Sequence, residues 1–101
     1  MAILAIFHGT SIKKNDYELL RKEVNWERQK PKGMLIHTVG FDDSGLHVAD
    51  VWESREALDD YFKNRLIPAM KKHNMTPPDG QFYILHNANV DSSADKYKLA
   101  A

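Results

Sequence analysis

His37, Asp50, Trp52 and His86 have the types and spacing that could do acid–base or ligand chemistry. If His37 and Asp50 meet, the carboxylate fixes the imidazole tautomer and raises its basicity. Such a histidine can take a phenolic or carbon-bound proton. Asp50 lies between Val48 and Trp52 on an apolar face, where a carboxylate is costly unless paired. His37, Arg55 or Arg65 could supply the partner, in a catalytic couple or in a purely structural ion pair. Trp52 could floor a ligand pocket or simply fill the core, since buried aromatics dominate small cores. Tyr61, Phe62 and His86 complete the substrate-binding set, with the Tyr61 and Tyr83 hydroxyls able to donate to a substrate oxygen. No metal site is expected, because the five histidines form neither H-x-x-H nor H-E-x-x-H. There is no Gly-rich phosphate loop and no G-x-S-x-G.

The elements that must position these residues centre on Leu46–Leu66. Leu46, Val48, Asp50 and Trp52 alternate with His47, Ala49, Val51 and Glu53, which is the period of a strand. After Ser54 the spacing of Leu58, Tyr61, Phe62 and Leu66 is that of one helical stripe. Ser54 is placed to cap that helix, and Glu56 suits its first turn. Pro68 predicts a break near Ile67 and a short further turn over 69–72.

Ahead of this stretch, Ala2–His8 reads as a central strand covered on both faces, and Gly9-Thr10-Ser11 ends it. Asn15 reads as the cap of a helix with Glu18 three residues on. Tyr17, Leu20 and Val24 form its buried face. Trp26 falls opposite Tyr17 on the wheel, on a flank or against another subunit, and Pro31 and Gly33 end the helix. Met34–Phe41 is a second strand, and Asp42-Asp43-Ser44-Gly45 turns it back into the strand from Leu46. A two-residue loop pairs Phe41 with Leu46 and sets His37 opposite Asp50. A three-residue loop with a bulge sets Thr38 there and sends His37 to the other face. The sequence Asp-Asp-Ser-Gly suits the three-residue geometry better. Gln81–Asn87 is the last strand.

The order β-α-β-β-α-β is ferredoxin-like, an α+β fold with a four-stranded antiparallel sheet and two helices on one face. Apolar residues at both strand parities leave the other face to be covered, and a second copy of the chain is the expected cover. Residues 1–90 form this single domain, and 91–101 a polar tail that is disordered or an arm on a partner. Its Lys98-Leu99-Ala100-Ala101 resembles an expression-vector linker. The 14 basic and 14 acidic residues cancel, so the field that concentrates proteins on nucleic acid or anionic membranes is missing. Cysteine is absent, which excludes disulfides and thiolate chemistry and agrees with a cytoplasmic setting. Ala2–Phe7 is too short to span a bilayer and no basic region precedes it.

Val51-Trp52-Glu53-Ser54 followed by Ala57 resembles the strand-to-helix motif of the antibiotic-biosynthesis-monooxygenase-like proteins, with a looser match over Ala2–His86. The resemblance implies a dimeric α+β barrel in which Trp52 lines a pocket between sheet and helices. That group includes cofactor-free oxygenases of aromatic polyketides and haem-degrading oxygenases, while related barrels isomerise or decarboxylate. In the haem-degrading members a histidine falls nine residues after the tryptophan, and an asparagine ends the first strand. Here those positions hold Tyr61 and Phe7-His8, which argues against haem. The expectation is a homodimeric, cofactor-independent monooxygenase acting on an aromatic or polyketide-like molecule. The alternatives are a non-catalytic barrel that binds a small hydrophobic metabolite, and a cyclase or isomerase on the same groups.

Overall fold

The computed structural model describes residues 1–100. In chain order it contains β1 (Ile3–Gly9), α1 (Lys14–Val24), β2 (Met34–Asp42), β3 (Gly45–Trp52), α2 (Arg55–Tyr61), a π-helical turn (Phe62–Leu66), α3 (Ile67–Lys72) and β4 (Asp79–Ile84). The strands form one antiparallel sheet in the order β2-β3-β1-β4, which is the ferredoxin-like arrangement expected. Inward residues Ala5, Phe7, Leu46, Val48 and Trp52 join Tyr17, Leu20, Leu58, Tyr61 and Met70 from the helices in one core. The opposite face carries Leu4, Ile6, Ile36 and Tyr83, with Ile6 37% and Tyr83 50% exposed. Among the described residues no helix is long and apolar enough to cross a membrane.

The β2–β3 hairpin closes with the two-residue loop, not the three-residue one the turn sequence favours. Phe41 pairs with Leu46, Asp42 with Gly45, and His37 with Asp50. Burial decides the matter. This register turns His37, Val39 and Phe41 inward, whereas a one-residue slip would bury Thr38, Gly40 and Asp42 instead. Asp42 holds the turn by accepting from the Ser44 amide at 2.8 Å, the Ser44 hydroxyl at 2.6 Å and His47 at 2.9 Å. These bonds, from Ser44 first and His47 second, lower the Asp42 carboxyl from 3.8 to about 2. A depressed carboxyl stabilises the fold above about pH 4, and that contribution is lost as pH falls towards 2. Asp42→Asn is therefore expected to flatten the acid limb of urea midpoint against pH over this window.

Gly45 pins the other side of the turn. Its φ is +116°, and a Cβ there would lie 2.3 Å from the Gly9 carbonyl oxygen and 3.0 Å from that of Thr10. Gly45→Ala is expected to lower the melting temperature by at least about 5 °C, because strain and a backbone clash act together. A melt followed by circular dichroism checks this.

Three further expectations are corrected. The first helix starts one residue before Asn15: Lys13 is the cap, and its amide donates to Asp16 at 2.9 Å. It ends at Val24, well short of Pro31, because Asn25 turns left-handed at φ 59°. Asparagine tolerates that conformation better than most residues. Pro68 does not break the second helical segment. A proline ring clashes with the carbonyl four residues back, and the wider π turn just before it relieves that contact, with the Ile67 amide bonded to Phe62 five residues back. The last strand ends at Ile84, so His86 lies outside it. Residues 92–97 form a 3₁₀ turn that is exposed throughout.

Candidate functional site

Asp50 projects from β3 under the helices and is 4% exposed, the single charged residue in the described core. It is fully partnered. Its Oδ1 lies 2.7 Å from His37 Nδ1, and its Oδ2 accepts from Trp52 Nε1 at 3.3 Å. A carboxylate only accepts, so the Nδ1 of His37 carries the proton and the Nε2 of the neutral ring is an acceptor. That Nε2 lies 2.9 Å from the hydroxyl of Tyr17, which donates to it. The four side chains make one chain of bonds from β3 across β2 to α1.

Tyr17 holds its proton. Burial first, and then the negative Glu27 nearby, push its hydroxyl well above the usual tyrosine range, against the opposing effect of Arg21. Trp26 closes the site from outside, its ring 5.5 Å from both Tyr17 and His37. The left-handed Asn25 makes this possible by reversing the chain immediately after α1. The helical wheel that sent Trp26 to a flank stops applying at Val24.

Beside this chain lies a cavity of about 60 Å³. Phe7, Phe62, Leu66 and Met70 form much of its wall, and His37, Asp50 and Tyr61 bring its titratable groups. The π turn contributes Phe62 and Leu66, and such turns are frequent at functional sites. Burial pushes the Tyr61 hydroxyl upward, with Arg65 over the ring opposing. Tyr61 therefore offers a donor and not an anion.

Among the expected residues, His37 and Asp50 share a face and are bonded, and Tyr61 and Phe62 reach the cavity. Trp52 does not line it: it is 0% exposed, packs 5.4 Å from Tyr61 and supports Asp50 from behind. His86 is exposed two residues past β4 and does not line the cavity, because the strand stops sooner than its apolar run implies. Tyr17 and Trp26 escaped the sequence reading. Tyr17 is on the inward stripe of α1, where an aromatic reads as core, and the one signal for Trp26 is the Asn25 that precedes it.

No protein-family model matches the sequence, and no curated protein matches it. Solved structures do. SnoaB from Streptomyces nogalater, a cofactor-independent oxygenase, is 11% identical with a TM-score of 0.58, over 86% of this chain and 93% of its own. A Deinococcus radiodurans protein provisionally described as an antibiotic biosynthesis monooxygenase is 19% identical with a TM-score of 0.54, over 91% of this chain and 100% of its own. Rv0793 from Mycobacterium tuberculosis is 15% identical with a TM-score of 0.58, over 88% and 97%. The fold expected from the Trp-Glu-Ser motif is thus the fold of antibiotic-biosynthesis-monooxygenase-like structures. At these identities the likeness is one of fold.

Proposed function

We propose that this chain is a cofactor-independent monooxygenase for a small hydroxyaromatic, with His37 as general base and Asp50 as the group that orients it. The observation that carries this reading is the 2.7 Å bond from His37 Nδ1 to a buried carboxylate beside an apolar cavity. With Nδ1 committed to Asp50, Nε2 is the nitrogen that takes the substrate hydroxyl proton. The resulting imidazolium is stabilised by Asp50. The aromatic anion then passes electrons to dioxygen, a carbon–oxygen bond forms on the ring, and the O–O bond breaks. One oxygen stays as the second carbonyl of a quinone and the other leaves as water, so phenol plus O₂ gives quinone plus H₂O in balance.

The cavity size narrows the substrate. At about 60 Å³ it is well under the roughly 150 Å³ in which an apolar cavity takes up benzene. A single ring enters by moving Met70 or Leu66, and a fused polyketide does not fit. Oxygen uptake on a panel of single-ring hydroxyaromatics tests the reading. His37→Ala is expected to lower the rate about 10²–10⁴-fold, the usual contribution of a positioned base. Equal rates in both proteins would reject it.

A second reading is favoured by one observation: both His37 nitrogens are already bonded. In that reading the protein is a non-catalytic barrel holding a small hydrophobic molecule, and no panel member is turned over.

Either way the sheet's outer face, with Leu4, Ile6, Ile36 and Tyr83, is proposed to close on a second copy of the chain. Sedimentation is expected to show a dimer for the unaltered chain and a monomer for Ile6→Asp. A cytoplasmic setting remains part of the proposal, resting on the cysteine-free sequence.

A further inference from the structure

If His37 is the base, the structure holds its working nitrogen occupied. Asp50 takes Nδ1 at 2.7 Å and Tyr17 takes Nε2 at 2.9 Å, so no lone pair is left for a substrate. We infer that Tyr17 is a stand-in for the ligand: its phenol occupies the hydrogen-bonding position that an incoming hydroxyaromatic must take over.

Chemistry and surroundings agree on this. The Tyr17 hydroxyl is a neutral phenol donating to an imidazole nitrogen, which is the contact a hydroxyaromatic substrate makes before proton transfer. It does not transfer its own proton, because burial disfavours the tyrosinate. The aromatic enclosure is already present, with Trp26 and Phe41 packed 5.5 and 5.9 Å from the Tyr17 ring. His37 is 21% exposed on its side chain, so exchange of one phenol for another has a route from solvent. The ligand class follows from the exchange. It is a single-ring compound with a neutral O–H donor, and its apparent affinity is reduced by the fraction of time that Tyr17 holds the nitrogen. Tyr17 is thus a gating residue, not a catalytic one.

This inference rests on the proposed role of His37, and the experiment separates the two. Phenol and anisole, which lacks the donor, are titrated into the unaltered chain, Tyr17→Phe and Tyr17→Phe/His37→Ala. Binding is read from Trp26 fluorescence in a Trp52→Phe background and from the ¹⁵N shift of His37 Nε2. Tyr17→Phe is expected to bind phenol roughly tenfold more tightly, as removal of a competing hydrogen bond allows, with no gain for anisole. The double variant is expected to lose the gain. In the unaltered chain, saturating phenol is expected to shift the Tyr17 ring resonances while those of Tyr97, in the exposed 3₁₀ turn, stay put, a measurement that needs no variant to fold. Unchanged phenol affinity in Tyr17→Phe, or an equal gain for anisole, overturns the gate. If His37-dependent oxygen uptake persists in that case, the base reading survives. Failure of phenol to bind any of the three proteins, with no oxygen uptake, overturns both.

Discussion

Asp50→Ala is expected to lower unfolding free energy by about 2–4 kcal/mol and to reduce turnover as far as His37→Ala does. Both effects come from one buried carboxylate. Its removal leaves two donors, His37 Nδ1–H and Trp52 Nε1–H, facing an apolar interior. An unsatisfied buried donor costs about 1–3 kcal/mol, and the partial exposure of His37 brings its share to the low end. Without the carboxylate the imidazole also loses the bond that fixes its tautomer, so Nε2 is no longer held ready to accept a proton. Asp50→Asn separates the two effects. The amide keeps the shape and one acceptor, and is expected to cost only about 1–2 kcal/mol. It supplies no charge to stabilise the imidazolium, so turnover is expected to fall about 10²–10⁴-fold all the same. Urea denaturation of both variants beside oxygen uptake gives the comparison. Proportional losses in the two variants would assign Asp50 to structure alone.

Trp52→Ala is expected to cost about 3–5 kcal/mol, the usual penalty for emptying a buried large aromatic site. That is a large part of the stability of so small a domain. Trp52 is 0% exposed, leans on Tyr61 and sits behind Asp50, so its loss opens a void under the cavity floor. Trp52→Phe is expected to be much milder, about 1–2 kcal/mol, since the hydrogen bond it removes is long at 3.3 Å. Ligand affinity is expected to be nearly unchanged in Trp52→Phe, because the indole does not line the cavity. Fluorescence quenching by a ligand is expected to come from Trp26.

The sheet order follows from the β-α-β-β-α-β order of elements, read from the continuous apolar run of β1, the alternation in β3 and the change of period at Ser54, all of it legible in the sequence. The pairing of His37 with Asp50 was readable too, but the turn chemistry pointed elsewhere. Val39 and Phe41 alternate with Gly40 and Asp42, and that pattern selects the observed register more strongly than the Gly at the end of the turn. Tyr17 was not readable as a functional residue. Its contact with His37 joins positions 20 residues apart on different elements, and an aromatic on a buried helical stripe carries no mark of a polar partner. Trp26 depended on one left-handed residue. The π turn depended on how a proline is accommodated, and the periodicity of the segment says only that it is helical.

In the proposed function His37, oriented by Asp50, takes a proton from a bound hydroxyaromatic. The most direct measurement is the ionisation state of such a ligand on the protein, read from the absorbance of para-nitrophenol at a pH about one unit below its own pKa. The expected result is the spectrum of the bound phenolate with the unaltered chain and of the neutral phenol with His37→Ala. A neutral bound phenol in both proteins would contradict it.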